Sequence, residues 1–553
     1  MKLKQRNFDG APVVLDVRDL TVRLSGNREV PPVVDQVSLQ IRSGETACLV
    51  GESGSGKSVT ALSIMGLLPK GALEVAGGEI ILGGTDLLKL GPQAMRQMRA
   101  NRISMVFQEP MTALNPVMRV GEQIEEVLDT HARLSAGEKK SRVLDILNQV
   151  HLPDVERIYR SYPHELSGGQ RQRIMIGMAL ILKPQLLIAD EPTTALDVTT
   201  QQQILNLIAE LQEHHGTAVL FITHDMGVVA EIADTVHVMK HGKIVEHAPV
   251  AKLLREPRDD YTRRLLRSVP SLVPRPPRPA NGEAKVLEVA GLEKIYISRS
   301  LFSRREPVRA AVDVKFSIGR GRTLGIVGES GSGKSTVARC IMRLIDPTSG
   351  EIRVAGQEFA KLPRRALRPY RKHIQIVFQD PFRSLNPRWK IGESLIEGPL
   401  NCGQDRKSAL ARAAELLQLV GLPADALDRY PHQFSGGQRQ RIAIARAIAM
   451  EPDVLVADEA VSALDVSVQA QVLDLLDELQ QKLGIAILFI THDLRVAAQI
   501  CDDVVVMQHG RIVESGSAAE VLARPQHPYT RALIEAAPGR FWDFANFREL
   551  AAT

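Results

Sequence analysis

The octapeptide GESGSGKS occupies residues 51–58 and returns unchanged at residues 328–335. Each copy fits G-x-x-x-x-G-K-[ST], a glycine-rich turn whose backbone N–H groups cradle phosphate. The glycines let the chain curl around one anion, and the helix that follows adds the positive end of its dipole. Both copies lie between an apolar run (TACLV, TLGIV) and a helical pattern (SVTALSIMGLL, STVARCIMRLI), the strand–loop–helix context this chemistry requires.

The repeat extends far beyond the loop. Gln108 in VFQEP and Gln379 in VFQDP are 271 residues apart, and the two loops are 277 apart. Ser167 and Ser435 in SGGQRQR, Asp190 and Asp458 in ADE, and His224 and His492 in FITHD are each 268 apart. A period this long means two whole domains rather than a solenoid, and 553 residues exceed one ordinary core. Domains are expected at 12–267 and 286–536. Between them, 268–285 includes SVPSLVPRPPRPANGEA, whose five prolines predict an extended, semi-rigid linker. Residues 537–553 form a C-terminal tail, expected to pack on its own, second domain.

Each half opens with a β-rich stretch, VVLDVRDLTVRL or VLEVAGLEKIYI, and passes through the phosphate loop into a helix-rich middle. It ends with the apolar runs LLIAD and AVLFIT or their counterparts. Short, continuously apolar strands alternating with helices predict an α/β fold with a parallel sheet covered on both faces. Such sheets bind ligands at the carboxyl ends of their strands, where the polar motifs fall.

Composition narrows the class. No apolar run approaches the ~18 residues of a membrane span. The start, MKLKQRNFDG, has charges with no apolar segment behind it, so no signal peptide is expected and the chain reads as cytosolic. A net charge of +5 is weak support for a nucleic-acid partner in a chain this long. Cys48, Cys340, Cys402 and Cys501 are scattered, which suggests neither disulfides nor a zinc site.

The motifs carry a consistent chemistry. Gly51, Glu52, Ser53, Gly54, Ser55 and Gly56, and Gly328, Glu329, Ser330, Gly331, Ser332 and Gly333, form the two loops. Lys57 and Lys334 reach the β- and γ-phosphates, and the Ser58 and Ser335 hydroxyls can ligate Mg²⁺. Asp190 and Asp458 close apolar strands, where an unpaired charge is costly; facing a phosphate loop, they can hold the cation. Glu191 and Glu459 follow as bases able to polarise water. Gln108 and Gln379 can reach metal and water, and His224 and His492 the γ-phosphate. Ser167, Gly169 and Gln170, with Ser435, Gly437 and Gln438, offer a second donor set at a helix start.

This ordered set closely resembles the ATP-binding cassette (ABC) ATPases, twice, over nearly the whole chain. The resemblance implies two tandem nucleotide-binding domains, each a phosphate-loop core with an antiparallel β subdomain and a helical subdomain. It also implies ATP and Mg²⁺ as cofactors. In the family two cassettes pair head-to-tail, here within one chain. Lys57, Ser58, Gln108, Asp190, Glu191 and His224 would face Ser435, Gly437 and Gln438. Lys334, Ser335, Gln379, Asp458, Glu459 and His492 would face Ser167, Gly169 and Gln170. Asp197 and Asp465, in ALD, would cross between sites.

A narrower resemblance rests on QEPMTALNP and QDPFRSLNP, on YPHELSGGQRQR and YPHQFSGGQRQR, and on PQHPYTRALIEAAP. These are similar to the ATPases of dipeptide, oligopeptide and nickel importers, in fused form. They imply two transmembrane permease subunits and an extracytoplasmic substrate-binding protein as partners, with the chain peripheral on the cytoplasmic face of the cell membrane. Segments 109–125 and 380–396 would lie near the permeases. The first half departs from the pattern, with RDDYT where the second has QHPYT; that stretch reads as a helix-starting turn. A cysteine cluster found in some relatives is missing, so no iron–sulfur cluster is expected. The alternative is a soluble tandem-cassette ATPase acting on ribosomes or DNA. A short proline-rich linker and the lack of zinc-module cysteines argue against it, and no nucleic-acid partner is expected.

Aligning LDVRDLTVRL with LEVAGLEKIY puts Leu24 opposite Tyr296, the position where the family stacks an aromatic ring on adenine. Such stacking contributes about 1–3 kcal/mol per base in nucleic-acid complexes. The loop at Lys334 is therefore expected to bind ATP several-fold more tightly than the loop at Lys57. Site-resolved affinities in Leu24→Tyr and Tyr296→Leu variants check this; equal affinities that neither change moves would refute it.

Overall fold

The computed structural model describes the chain except residues 1–5, 7, 9, 27, 28, 109–112, 194, 195, 277, 279–283, 298–306, 463 and 551–553. It divides into two compact units. Residues 1–269 together with 541–553 form the first, and residues 270–540 the second.

In the first unit, β1 (Val13–Leu24), β2 (Val34–Arg42), β4 (Leu73–Leu82) and β5 (Thr85–Asp86) make an antiparallel sheet in the order β2-β1-β4-β5. A second sheet has the order β10-β9-β3-β8-β7-β6. It is built from β3 (Thr46–Val50), β6 (Ile103–Val106), β7 (Leu186–Asp190), β8 (Ala218–Thr223), β9 (Thr235–Lys240) and β10 (Lys243–Pro249). All neighbours are parallel except β9 and β10. The second unit repeats this plan. Its antiparallel sheet joins β11 (Lys285–Tyr296), β12 (Val308–Gly319), β14 (Ser349–Val354) and β15 (Gln357–Glu358). Its main sheet runs β16-β17-β18-β13-β19-β20, from β13 (Thr323–Val327), β16 (Ile374–Val377), β17 (Val454–Asp458), β18 (Ala486–Thr491), β19 (Asp503–Gln508) and β20 (Arg511–Ser517).

The central strands are short because they are apolar on both faces. Every residue of β3, β7 and β8 is buried, as is every residue of β13, β17 and β18. Alternation then divides each strand between two cores. In the second unit Leu324, Ile326, Val456, Leu488 and Ile490 pack with the antiparallel sheet and the helix Lys334–Ile341. Val327, Leu455, Ala457, Ile487 and Phe489 pack with helices Ile391–Asn401, Arg406–Leu419 and Gly436–Ile448. A parallel sheet needs such cover on both faces.

Register sets the strand ends level. Val50 pairs with Thr223, Asp190 with Ile222, and Val106 with Ala189. The loops leaving β3, β6, β7 and β8 therefore open along one edge. The second unit does the same through Val327 with Thr491, Asp458 with Ile490, and Val377 with Ala457.

One of the two connecting segments differs from expectation. From Pro270 on, the described part of the proline-rich linker belongs to the second unit, where side chains hold it. Arg275 bonds Asp477 at 2.8 Å and Asp502 at 2.5 Å, and Arg278 bonds Asp477 and Gln480. The tail does not pack on the second domain; residues 541–553 belong to the first unit. Trp542 and Phe544 are buried, 5% and 3% exposed. The Arg267 guanidinium lies 5.3 Å from the Phe547 ring centroid, and Arg255 bonds Glu549 at 2.6 Å. Two buried aromatics and two arginine partners outweigh mere nearness in sequence.

Burying a large aromatic side chain is worth about 3–5 kcal/mol against its truncation to alanine. Trp542→Ala, or ending the chain at residue 540, should lower the unfolding temperature of the first unit by roughly 5 °C or more. The transition of the second unit should hold its place, as read by scanning calorimetry. A fall confined to the second unit would contradict the tail's placement.

Candidate functional site

The phosphate loops owe their shape to close approach. Gly51 and Gly328 both have φ 150°, and a Cβ on them would stand 2.2 and 2.3 Å from the carbonyl oxygens of Met239 and Met507. Side chains are excluded there. The Gly242 N–H donates to Ser55 O at 3.0 Å, and Gly510 N–H to Ser332 O at 2.9 Å, fixing each loop to the turn after the next strand. Lys57 Nζ donates to the carbonyls of Gly51 (2.8 Å) and Glu52 (2.9 Å); Lys334 does so to Gly328 (2.7 Å) and Glu329 (2.8 Å). Each ammonium thus sits inside the curl of its own loop, buried, at the place where phosphate oxygens would replace the carbonyls.

Across β8 from the loop, the Ser58 hydroxyl donates to Asp190 Oδ1 at 3.1 Å. Ser335 donates to Asp458 at 3.3 Å. Burial raises the pKa of the Asp190 carboxyl; the Ser58 hydrogen bond works against this and the Glu191 charge adds to it. Asp458 is raised by burial and by Glu459. A buried carboxylate short of positive charge beside a hydroxyl and a glutamine is an oxygen-rich donor set suited to Mg²⁺. The residues fit the cation, with Ser58, Gln108 and Asp190 able to hold it in one half and Ser335, Gln379 and Asp458 in the other.

Glu191 and Glu459 take left-handed backbone conformations, φ 46° and 50°. Non-glycine residues rarely adopt these, and they concentrate at functional sites. The turn aims each carboxylate between a glutamine and a histidine. Gln108 Nε2 donates to Glu191 at 2.9 Å, and His224 Nδ1 lies 3.2 Å from it. Gln379 Nε2 donates to Glu459 at 2.8 Å, and His492 Nδ1 lies 3.4 Å away. Burial disfavours charge on Glu459, but the hydrogen bond and charge of His492 outweigh it and its pKa is lowered. Reciprocally, His492 is raised by Glu459 against its own burial. Loop, lysine, serine, aspartate, glutamate, glutamine and histidine therefore come together in each unit.

The signature residues stand apart, on their own helix. Ser167 caps Gly168–Leu180, its hydroxyl accepting from Gln170 N–H, while Gln170 Oε1 accepts from Ser167 N–H. Ser435 and Gln438 do the same for Gly436–Ile448. A Cβ at Gly169 would meet Thr200 Cγ2 at 2.7 Å, and one at Gly437 would meet Val468 Cγ1 at 2.2 Å, so glycine lets the next helix pack close. Leu166 and Phe434, the residues before the serines, are both buried. Asp197 caps that next helix through Thr200 N–H. Leu24 and Tyr296 end β1 and β11 at matching positions, 41% and 42% exposed.

One contact was missed by sequence reasoning. Tyr261 Oη accepts from Glu52 N–H at 3.0 Å, and Tyr529 Oη from Glu329 N–H at 3.2 Å. The tyrosines stand 268 residues apart, inside the DDYT and HPYT stretches, and that shared offset is the signal that could have found them. The four cysteines are free, and among the described residues no helix is long and apolar enough to cross a membrane.

The ABC transporter family model matches residues 34–194 and 311–462. The model for the oligopeptide/dipeptide transporter C-terminal region matches 245–293 and 513–540. Peptidoglycan transport ATP-binding protein YejF of Agrobacterium fabrum is 46% identical over 530 residues, covering 95% of this chain and 96% of its own. Glutathione import ATP-binding protein GsiA of Salmonella choleraesuis is 46% identical over 557 residues, covering 95% and 89%. With family matches over more than half its length and relatives aligned across nearly all of it, the chain belongs to the ABC transporter family, as an ATPase of two cassettes that each end in the C-terminal region of the oligopeptide/dipeptide transporters.

Proposed function

We propose that the chain hydrolyses ATP at two composite sites and drives import of a peptide-containing solute through a pair of membrane permeases. The observation that carries the catalytic part is the duplicated carboxylate: Glu191 and Glu459 each lie between a glutamine and a histidine at the mouth of a phosphate loop. Each loop would take the phosphates of one ATP, with Lys57 or Lys334 turning from the loop carbonyls to phosphate oxygens. Magnesium, when bound, neutralises phosphate charge. Glu191 and Glu459 would accept a proton from the attacking water, the glutamines would orient it, and the histidines would touch the γ-phosphate, with His492 also favouring the ionised form of Glu459. Ser435, Gly437 and Gln438 would close the first site, and Ser167, Gly169 and Gln170 the second. Tyr296 would stack on the adenine of the second.

The transport part is supported by relatives whose names specify import of glutathione and transport of peptidoglycan, both of which contain peptide bonds. On this reading the chain would sit on the cytoplasmic face of the membrane, against two permeases, with a substrate-binding protein on the far side. Segments 109–125 and 380–396 would meet the permeases; residues 109–112 lie outside the described residues. Exposed apolar side chains support that assignment: Val117, Phe382 and Trp389, with Phe382 61% exposed. Purification in detergent should recover two multi-span proteins with the chain, whereas ribosomes or DNA in their place would overturn the reading.

Removing a positioned general base typically costs 10²–10⁴ in rate. Glu191→Gln and Glu459→Gln should each lower phosphate release sharply, with ATP binding retained. Full turnover in one of them would contradict two equivalent bases.

The raised pKa of Asp190 and Asp458 sets a pH dependence. A carboxyl with a raised pKa takes up its proton at milder acidity, and that proton competes with the cation. The Mg²⁺ concentration for half-maximal hydrolysis should therefore climb as the medium is made more acid, and begin to climb at a milder acidity than an ordinary carboxylate would require. A requirement that does not change with acidity while hydrolysis persists would remove these aspartates from the cation site.

A further inference from the structure

The Gly51 carbonyl and the Glu52 N–H belong to one peptide group, and two side chains grip it from opposite ends. Lys57 Nζ donates to the carbonyl at 2.8 Å, and Tyr261 Oη accepts from the N–H at 3.0 Å. The second unit repeats the arrangement on the Gly328–Glu329 peptide, with Lys334 at 2.7 Å and Tyr529 at 3.2 Å. Such a peptide has reason to be held. Its glycine sits at φ 150°, a region open to glycine and little else. A glycine there can also rotate, and rotation would turn the peptide and spoil the curl that aims the following N–H groups at phosphate.

Each tyrosine is itself placed with care. Tyr261 is buried, 5% exposed, with Lys240 Nζ 4.9 Å from its ring centroid. It is the second residue of the helix Asp260–Arg267, whose cap Asp259 accepts from Tyr261 N–H at 2.7 Å. The turn before the cap is fixed in turn, because Glu246 on β10 accepts from the N–H groups of Arg258 and Asp259. In the second unit His527 Nδ1 caps the helix Pro528–Ala536 by accepting from Tyr529 N–H at 3.2 Å. Glu514 on β20 accepts from the N–H groups of Gln526 and His527. Two unlike residues, aspartate and histidine, thus serve one end: to set a tyrosine hydroxyl against a phosphate loop.

We propose that Tyr261 and Tyr529 are positioning residues for ATP. Each holds the first peptide of its phosphate loop in the phosphate-accepting orientation when the loop lysine leaves that peptide for the nucleotide. The inference rests on the reading that the phosphate loops are the nucleotide sites. It also gives the carboxyl-terminal helix of each cassette a direct mechanical link to bound ATP.

The test uses the full-length chain, with a fluorescent ATP analogue as binding probe and phosphate release as the rate. Each tyrosine is changed to phenylalanine in a background where the other site's loop lysine is alanine, so that one site is read at a time. Loss of one hydrogen bond should weaken binding by roughly three- to tenfold. The loss should appear in the KM for ATP more than in kcat, and the unfolding temperature without nucleotide should fall by only about 1–4 °C, the cost of one hydrogen bond, so that the chain stays fully folded at the assay temperature. Asp259→Ala should weaken the first site in the same direction, and Asp259→His should restore it, since histidine does this work in the second unit. Unchanged binding in both phenylalanine variants would overturn the proposal. So would a loss confined to temperatures at which the chain has begun to unfold. Unchanged binding in Lys57→Ala and Lys334→Ala is a separate result: it would remove the nucleotide from these loops, and the proposal with it.

Discussion

A carboxylate at the end of a wholly buried strand is the constraint on which each cassette depends. Asp190 and Asp458 terminate runs in which every residue is buried, and each finds only partial relief in a serine hydroxyl. Buried charge is tolerated when a cation or a strong donor set meets it. The parallel register that levels Val50, Asp190 and Thr223 brings such a donor set within reach. The same register carries the next residues, Glu191 and His224, onto the same edge. Shift β7 by one residue against β8, and the aspartate would exchange places with a neighbour while its successor turned away from the loop. Core packing and site geometry are thus one problem, which is why apolar strands of only five or six residues end in chemistry.

Duplication lets the two cassettes be compared as internal controls. Contacts that recur despite changed side chains mark what the fold requires. Lysine bridging the first two loop carbonyls, serine on aspartate, and glutamine on glutamate all recur with distances within 0.2 Å of each other. The aspartate that holds the start of the central strand recurs as well. Asp502 takes the Thr323 N–H on one oxygen and Arg275 of the linker on the other, joining the start of β13 to the segment that precedes the second cassette. Asp234 takes the Thr46 N–H in the first unit at 2.9 Å. The linker is therefore less a free spacer than an arm of the second unit. Its prolines suit that role, since a chain already extended loses less entropy when arginines fasten it.

The architecture and most of the site were legible in the residues because each motif joins a distinctive side chain to a distinctive element. GESGSGKS cannot be read apart from the strand before it and the helix after it. The ADE glutamates could be assigned by position, although their left-handed backbone could not, since nothing in the residue type announces φ near 50°. The tail was misread for a physical reason. Proximity along the chain argued for the second domain, whereas Trp542 and Phe544 needed burial and Phe547 a cationic partner, which Arg267 of the first unit supplies. Long-range docking by a few aromatics leaves no periodic trace. The tyrosine contact was hidden differently: the shared offset marks the two tyrosines, but nothing in the residues says which backbone N–H a phenol will satisfy.

By its letters alone the first half departs from the second, with DDYT against HPYT. The structure makes the difference a substitution within one physical requirement. The residue two before the tyrosine N–H must present an acceptor at the start of a helix, and both a carboxylate oxygen and an imidazole nitrogen do so. What the motif constrains is the acceptor, the helix start and the phenol, not the imidazole. Proline at the first helical position is equally replaceable, because its merit there is a preset φ and a missing donor, and Asp260 at the same place instead meets the positive end of the helix with a negative charge. Tyrosine has no such substitute in this geometry: its hydroxyl must reach the loop N–H while its ring remains packed, and no other side chain pairs that length with a terminal acceptor on a flat apolar body. It is accordingly the tyrosine, rather than the histidine or the proline, that both halves of the chain share.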